Sequence, residues 1–215
     1  MSKNTSLTGI AAPLPLNNLD TDQIMPKQFL FGIDKSGLGR GVLYDLRTDA
    51  ATGTPRPDFV LNRNEYQGAR ILIAGANFGC GSSREHAVWG LQQAGFDAVI
   101  APSFGEIFYF NALNNRLLLV MLDPRIVAEL TALASDPASS MLTIDVEQQC
   151  VVTADGSKKY GFDLPARQKH MFIEGLDMIG MTLSDSDSIS EFETKHYAAH
   201  PWMKIDLPKQ QKVAQ

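Results

Sequence analysis

The sequence predicts an α/β fold with a partly parallel central sheet and helices packed on it. Three observations predict it. Between residues 69 and 135 short apolar runs alternate with segments of helical character, in the order strand, helix, strand, helix, strand, helix, and such alternation argues for parallel pairing through right-handed crossovers. The last third instead sets apolar strands around an Asp-Gly pair, which is hairpin chemistry. Finally, 215 residues of which 44% are hydrophobic, with no internal repeat or low-complexity tract, supply one sizeable core, so a single domain spanning 1–215 is expected.

The elements follow in chain order. "GIAAPLPL" (9–16) reads as an early strand, "NNLDTD" (17–22) as a polar turn, and "GIDKSGLGRG" (32–41), rich in glycine, as a mobile loop. "ARILIAG" (69–75) is a short apolar run closed by glycine, the pattern of a buried strand. Arg84 to Ala94 has helical character, "FDAVIAP" (96–102) is the next strand, and "SFGEIFYFNALNN" (103–115) a helix opening at a serine cap. "RLLLVML" (116–122) is another strand. "DPRIVAELTALAS" (123–135) opens with Asp before Pro, the expected cap and first-turn pair, and sets Ile126, Leu130 and Leu133 on one face. Residues 141–164 form strands around Asp155-Gly156, and "PARQKHMFIEG" (165–175) and "SDSISEFETKHYA" (186–198) are helices. The tail 200–215 is polar, carries Pro201 and Pro208, and is expected to be loosely held or to pack on a partner.

Composition excludes several function classes. A formal net charge of −5 provides no positive field for nucleic acid or an acidic membrane surface, so a positive site for an anion has to be local. No apolar run of about 18 residues is present. The start "MSKNTS" lacks the apolar stretch of a secretory signal, so a cytoplasmic location is expected. The two cysteines, Cys80 and Cys150, are poor material for a disulfide framework, match no zinc spacing and cannot supply the three or four thiolates an iron–sulfur cluster takes. No metal site is expected on this chain.

The chemistry concentrates in "NFGCGSSREH" (77–86), between a strand and a helix, where unpaired N–H groups and the helix dipole favour negative charge. Gly79 and Gly81 let the backbone approach a ligand, Ser82 and Ser83 offer hydroxyls, and Arg84 can grip a carboxylate or phosphate with two parallel hydrogen bonds. The same residues have a structural reading of equal weight: Ser82-x-x-Glu85 is the pattern of a capping box. Cys80 reads as a small buried residue, and His86 as a packed histidine before an acid or base. The nucleophile elbow, the phosphate loop and the dinucleotide fingerprint are all absent, which disfavours a serine hydrolase or a nucleotide enzyme.

"LDTDQIMPKQFL" (19–30), "PDFVLN" (57–62), "NFGCGSSREHAVWGL" (77–91), "APSFGEIFYFNALNN" (101–115) and "GLDMIGMTL" (175–183), in this order, resemble the small subunits of 3-isopropylmalate dehydratase in the aconitase superfamily. One departure is "HAVWGL", where the family more often has proline and alanine at the positions of Val88 and Gly90, which bears on helix rigidity. The resemblance implies a three-layer swivelling β/β/α domain, active as a hydro-lyase of leucine biosynthesis only with a large subunit that carries a 4Fe-4S cluster. It implies the interconversion of 2- and 3-isopropylmalate through 2-isopropylmaleate. Ser82 matches the family's catalytic base, Ser83 and Arg84, with Gly81, its binders of the substrate carboxylate, and Thr21 and Asp22 a segment near the active site. Substrate choice is expected in "MPKQFLFG" (25–32), through Lys27, Phe29, Leu30 and Phe31. Burying an isopropyl group there is worth about 2 kcal/mol. A citrate-like acid would want an added arginine for its third carboxylate, and that segment has none. The alternatives are a related dehydratase acting on methylmalate/citraconate or homoaconitate, and a non-catalytic anion-binding module in which Ser82 is only a cap.

Overall fold

The structure is a computed structural model and describes residues 5–30 and 35–204. Seven strands form one mixed sheet in the order β4-β3-β2-β1-β5-β6-β7. β2 (Ile71–Ala74), β3 (Ala98–Ala101) and β4 (Leu118–Met121) are the apolar runs read from the sequence, paired in parallel. Helices α3 (His86–Gln93) and α4 (Glu106–Asn114) are the crossovers between them, and α5 (Pro124–Ala134) follows β4. Asp123 caps α5 as expected, its carboxylate accepting from the N–H of Arg125.

Strand β1 (Ser6–Leu14) joins two kinds of pairing. Its first half runs antiparallel to β5 (Met141–Asp145), and its second half, Ala11 to Leu14, runs parallel to β2. From β5 the sheet continues antiparallel through β6 (Cys150–Thr153) and β7 (Lys159–Gly161). The Asp155-Gly156 turn lies between those last two. Hydrogen bonds from Thr153 and Ser157 to the Asp155 side chain hold its pKa down at about 2, so the turn keeps its charge.

The parallel strands are buried on both faces, which is why they read as continuous apolar runs. Successive side chains alternate between two clusters. Leu72, Ala74, Val99, Ala101 and Leu119 meet Ala87, Val88 and Leu91 of α3 and Phe108 and Ala112 of α4. Ile71, Ile73, Ala98, Ile100 and Val120 meet Val127, Leu130 and Ala134 of α5 together with Leu142, Ile144 and Val151 of the antiparallel strands. Parallel strands, antiparallel strands and a helical layer thus stack as the expected α/β swivel-type arrangement. On α5 the fully buried face is Val127, Leu130 and Ala134, with Ile126 and Leu133 at its margin. Gly90 of α3 is buried with Met25 Cε, the mobile end of a flexible side chain, 2.1 Å from where a Cβ would stand, and α3 remains regular.

The long connection from β1 to β2 holds two short helices, α1 (Thr21–Ile24) and α2 (Tyr44–Arg47), with several 3-10 turns, one of them, Leu38–Gly41, within the segment expected to be a mobile loop. Helix α6 (Ala166–Glu174) buries Met171. Residues up to Asp177 form one compact unit and those from Met178 a second. The second unit contains α7 (Met178–Ser184), a helix the sequence reading missed, α8 (Ser186–Ala199) and a 3-10 turn at Pro201–Met203. None of these three buries a residue. Residues 205–215 of the tail lie outside the described residues. Among those described, no helix is long and apolar enough to cross a membrane.

Candidate active site

Segment 77–85 lies beyond the carboxyl end of β2 and is held from both sides by backbone. Asn18 N–H donates to Ala76 O (2.8 Å), Gly79 N–H to Leu19 O (2.7 Å) and Thr21 N–H to Cys80 O (2.9 Å), which extends the β1–β2 pairing into the loop. From the other side Phe78 N–H donates to Ser103 O (3.1 Å) and Gly105 N–H to Phe78 O (2.9 Å). Phe78 itself is buried against Phe104 and Phe108. Left-handed backbone recurs at every second position: Asn77 at φ 58°, Gly79 at 74° and Gly81 at 91°. Gly79 is doubly constrained, because a Cβ there would also come within 2.3 Å of the Phe108 ring.

This backbone sets the predicted residues around one point. Ser82 and Ser83 are exposed. Thr21, fully buried on α1, has its Oγ1 3.0 Å from Ser82 Oγ and donates to Ser82 O at 3.0 Å. Arg84 Nη1 forms an ion pair with Asp22 Oδ1. The segment Thr21-Asp22 therefore meets Ser82 and Arg84 directly, and Gly81 packs beside Asp20 and Thr21. Cys80 is half-buried and bridges to Asp20 in the extended ladder. His86 is half-buried with its ring 4.9 Å from that of Trp89, a packed histidine.

The capping box that the pattern Ser82-x-x-Glu85 allows does not form. Helix α3 begins at His86, later than the Arg84 start read from sequence, and its N-cap, Glu85, makes no side-chain cap bond. Ser82 is engaged by Thr21, and Glu85 Oε1 accepts from Asn115 Nδ2 at 2.5 Å. A capping box exists instead at α1, where the Asp20 carboxylate accepts from Gln23 N–H (2.7 Å) and Gln23 Oε1 from Asp20 N–H (3.1 Å). Ser103 is likewise no cap: α4 is capped by Gly105, and Ser103 Oγ accepts from Asn77 N–H at 2.9 Å.

The residues expected to set selectivity are placed as follows. Phe29 is partly buried, its ring 5.0 Å from Tyr44 and packed where a Cβ on Gly41 would collide with it. Leu30 packs on the same core, Lys27 is exposed, and Phe31 lies outside the described residues. Sequence reasoning missed Asn115, whose only signal was the "NALNN" run. Among the described residues no group of three or more His, Cys, Asp or Glu converges as a metal site requires, and Cys150 is buried in β6.

A Ser-Ser-Arg loop at the carboxyl end of a parallel strand, inside a mixed curled sheet, defines an aconitase-type swivel domain, and the comparisons agree. The model of the aconitase C-terminal domain matches residues 1–125, and the model of the C-terminal domain of 3-isopropylmalate dehydratase small subunits matches 178–206. The 3-isopropylmalate dehydratase small subunit 1 of Chromobacterium violaceum is 57% identical over 95% of this chain and 95% of its own length. That of Mannheimia succiniciproducens is 46% identical over 95% and 100%. A crystal structure of 3-isopropylmalate dehydratase from Methanocaldococcus jannaschii shares the fold, with a TM-score of 0.60, 24% identity and coverage of 87% of this chain and 99% of that one. The chain belongs to the 3-isopropylmalate dehydratase small-subunit family, aconitase-related hydro-lyases.

Proposed function

We propose that this chain supplies the proton-transfer half of a 3-isopropylmalate dehydratase active site in cytoplasmic leucine biosynthesis, with Ser82 as base, acting as one swivelling domain upon a large subunit. The observation that carries this reading is the placement of Ser82, released from capping, exposed, beside Arg84 and within 3.0 Å of Thr21 Oγ1. A serine hydroxyl is far too weak an acid to be a base in water, so its alkoxide needs donors already in place and a site closed to solvent. Thr21 has one hydroxyl hydrogen and two acceptors within 3.0 Å, Ser82 O and Ser82 Oγ. While Ser82 is protonated, Thr21 donates to the carbonyl and accepts from Ser82. When Ser82 is an alkoxide, the same hydrogen turns to Oγ and stabilises the charge without rearrangement of the backbone.

Arg84 carries five N–H donors, and its pairing with Asp22 through Nη1 leaves others for a substrate carboxylate. Ser83 and the backbone at Gly81 add donors beside it. The bond broken on this side is a C–H next to that carboxylate: the proton passes to Ser82 Oγ and the electron pair becomes the new C=C as the hydroxyl departs. The 4Fe-4S cluster, which the donor set here does not fit, is assigned to the large subunit, where it supplies Lewis-acid chemistry. Segment 25–32, with Lys27, Phe29, Leu30 and Phe31, is assigned the choice of the isopropyl side chain. The test is Ser82→Ala in the complex reconstituted with the large subunit, given 2-isopropylmaleate, citraconate and homoaconitate in turn. Activity on 2-isopropylmaleate that falls about a thousandfold, about 4 kcal/mol of barrier, is expected; near-wild-type turnover overturns the base assignment.

A further inference from the structure

We propose that Asn115 is a positioning residue for the reaction, fixing the Ser82–Arg84 segment through the carboxylate of Glu85. The inference rests on the reading of Ser82 and Arg84 given above. Asn115 follows the last residue of α4, and its polar atoms are engaged in bonds of defined polarity. Its Nδ2 donates to Glu85 Oε1 (2.5 Å) and to Asn111 O (2.8 Å), its Oδ1 accepts from Trp89 Nε1 (2.9 Å), and its backbone carbonyl accepts from Gln92 Nε2 (2.6 Å). An indole N–H only donates and an ionised carboxylate only accepts, so these two partners together dictate which way the amide points. A carboxamide meets both demands at once. Aspartate would set one carboxylate against another, and an apolar residue would leave both Trp89 and Glu85 without a partner.

Glu85 is the junction between the reactive segment and α3. Its backbone carbonyl accepts the first bonds of the helix, from Val88 (3.0 Å) and Trp89 (3.2 Å), while Arg84 immediately precedes it. The segment is therefore held at two points: by Thr21 and Asp22 at Ser82 and Arg84, and by Asn115 at Glu85. Tying down the Glu85 carboxylate also keeps it from competing with a substrate carboxylate for the neighbouring guanidinium. A base displaced by about 1 Å loses on the order of a hundredfold in rate, so an anchor one residue from the carboxylate grip acts on turnover without touching substrate.

The experiment uses the complex with the large subunit and compares wild type, Asn115→Asp, and the double variant Glu85→Gln/Asn115→Asp, which restores the bond between positions 85 and 115 with its polarity exchanged, while the donor to Asn111 O is lost equally in both variants. Asn115→Asp is expected to lower kcat at least tenfold and to raise KM severalfold. A smaller folded fraction would lower apparent kcat and leave KM alone. The double variant is expected to recover at least a third of wild-type kcat/KM. Wild-type kcat and KM in Asn115→Asp overturn the proposal, as does a double variant no better than the single one at equal melting temperature. Ser82→Ala, run in parallel, separates the two readings: if it is inactive while Asn115→Asp is normal, only the positioning role fails, and if it is active, both fall.

Discussion

Two helices of this chain begin with the same kind of cap pattern and use it differently. At α1, Asp20-x-x-Gln23 closes a reciprocal box, two hydrogen bonds between residues three apart. At α3, Ser82-x-x-Glu85 closes nothing, because Ser82 is bonded to Thr21, 61 residues away, and Glu85 to Asn115, 30 residues away. A local pattern states what short polar side chains are able to do, and distant partners decide whether they do it. Forgoing a cap costs about 1 kcal/mol. At α3 the cost falls where a capping pattern is present in sequence and its residues are used by distant partners beside an arginine. The box at α1 in turn fixes the helix from which Thr21 reaches the serine, so the region that obeys the rule supports the region that breaks it.

The largest expected effect that sharpens this contrast is in Ser82→Ala. Because the side chain is no cap, the thousandfold loss of turnover should come with a melting temperature within about 1 °C of wild type, whereas loss of a true cap would shift it by about 2–4 °C. A lower melting temperature with activity intact would return Ser82 to the structural role. Next comes Thr21→Val, which keeps the shape and removes the hydroxyl. Ser82, the partner left behind, is exposed and water can take the place of the lost hydroxyl, so the cost to folding should be small and the loss should appear in kcat, about tenfold or about 1.4 kcal/mol. Steady-state kinetics beside a melting curve separates the two. Asp20→Ala should behave in the opposite sense, losing about 1 kcal/mol of stability by denaturant titration, with less than a fivefold change in kcat.

The same contrast explains what was legible in the sequence. Strands β2, β3 and β4 were readable because burial on both faces writes an unbroken apolar run, and α5 because Asp123-Pro124 carries its own start signal. The residues of the site were legible as a cluster of reactive types, and through family resemblance as roles. The geometry was not, since it depends on contacts across the fold: Thr21 on Ser82, Asn115 on Glu85, and the split pairing of β1, whose first half has an antiparallel partner and whose second half a parallel one. Phe29 illustrates the same limit. Its packing edge-on to Tyr44 is a contact 15 residues along the chain that no local pattern announces.

The smallest effect expected is at Ser103, where the pattern again misled and the remedy is a comparison with Asp123. Both residues stand just before helices in matching positions after β3 and β4. Asp123 accepts from the N–H two residues on, a true cap bond of 2.8 Å. Ser103 accepts instead from Asn77 N–H, across the fold, and Asn77 is exposed. Water can replace that hydroxyl, so Ser103→Ala should cost about 0.5 kcal/mol, against about 1 kcal/mol for Asp123→Ala. Chemical denaturation of both variants side by side measures the difference. Equal losses would mean that Ser103 supports α4 in solution, and that the diversion of cap residues toward the reactive loop is confined to Ser82 and Glu85.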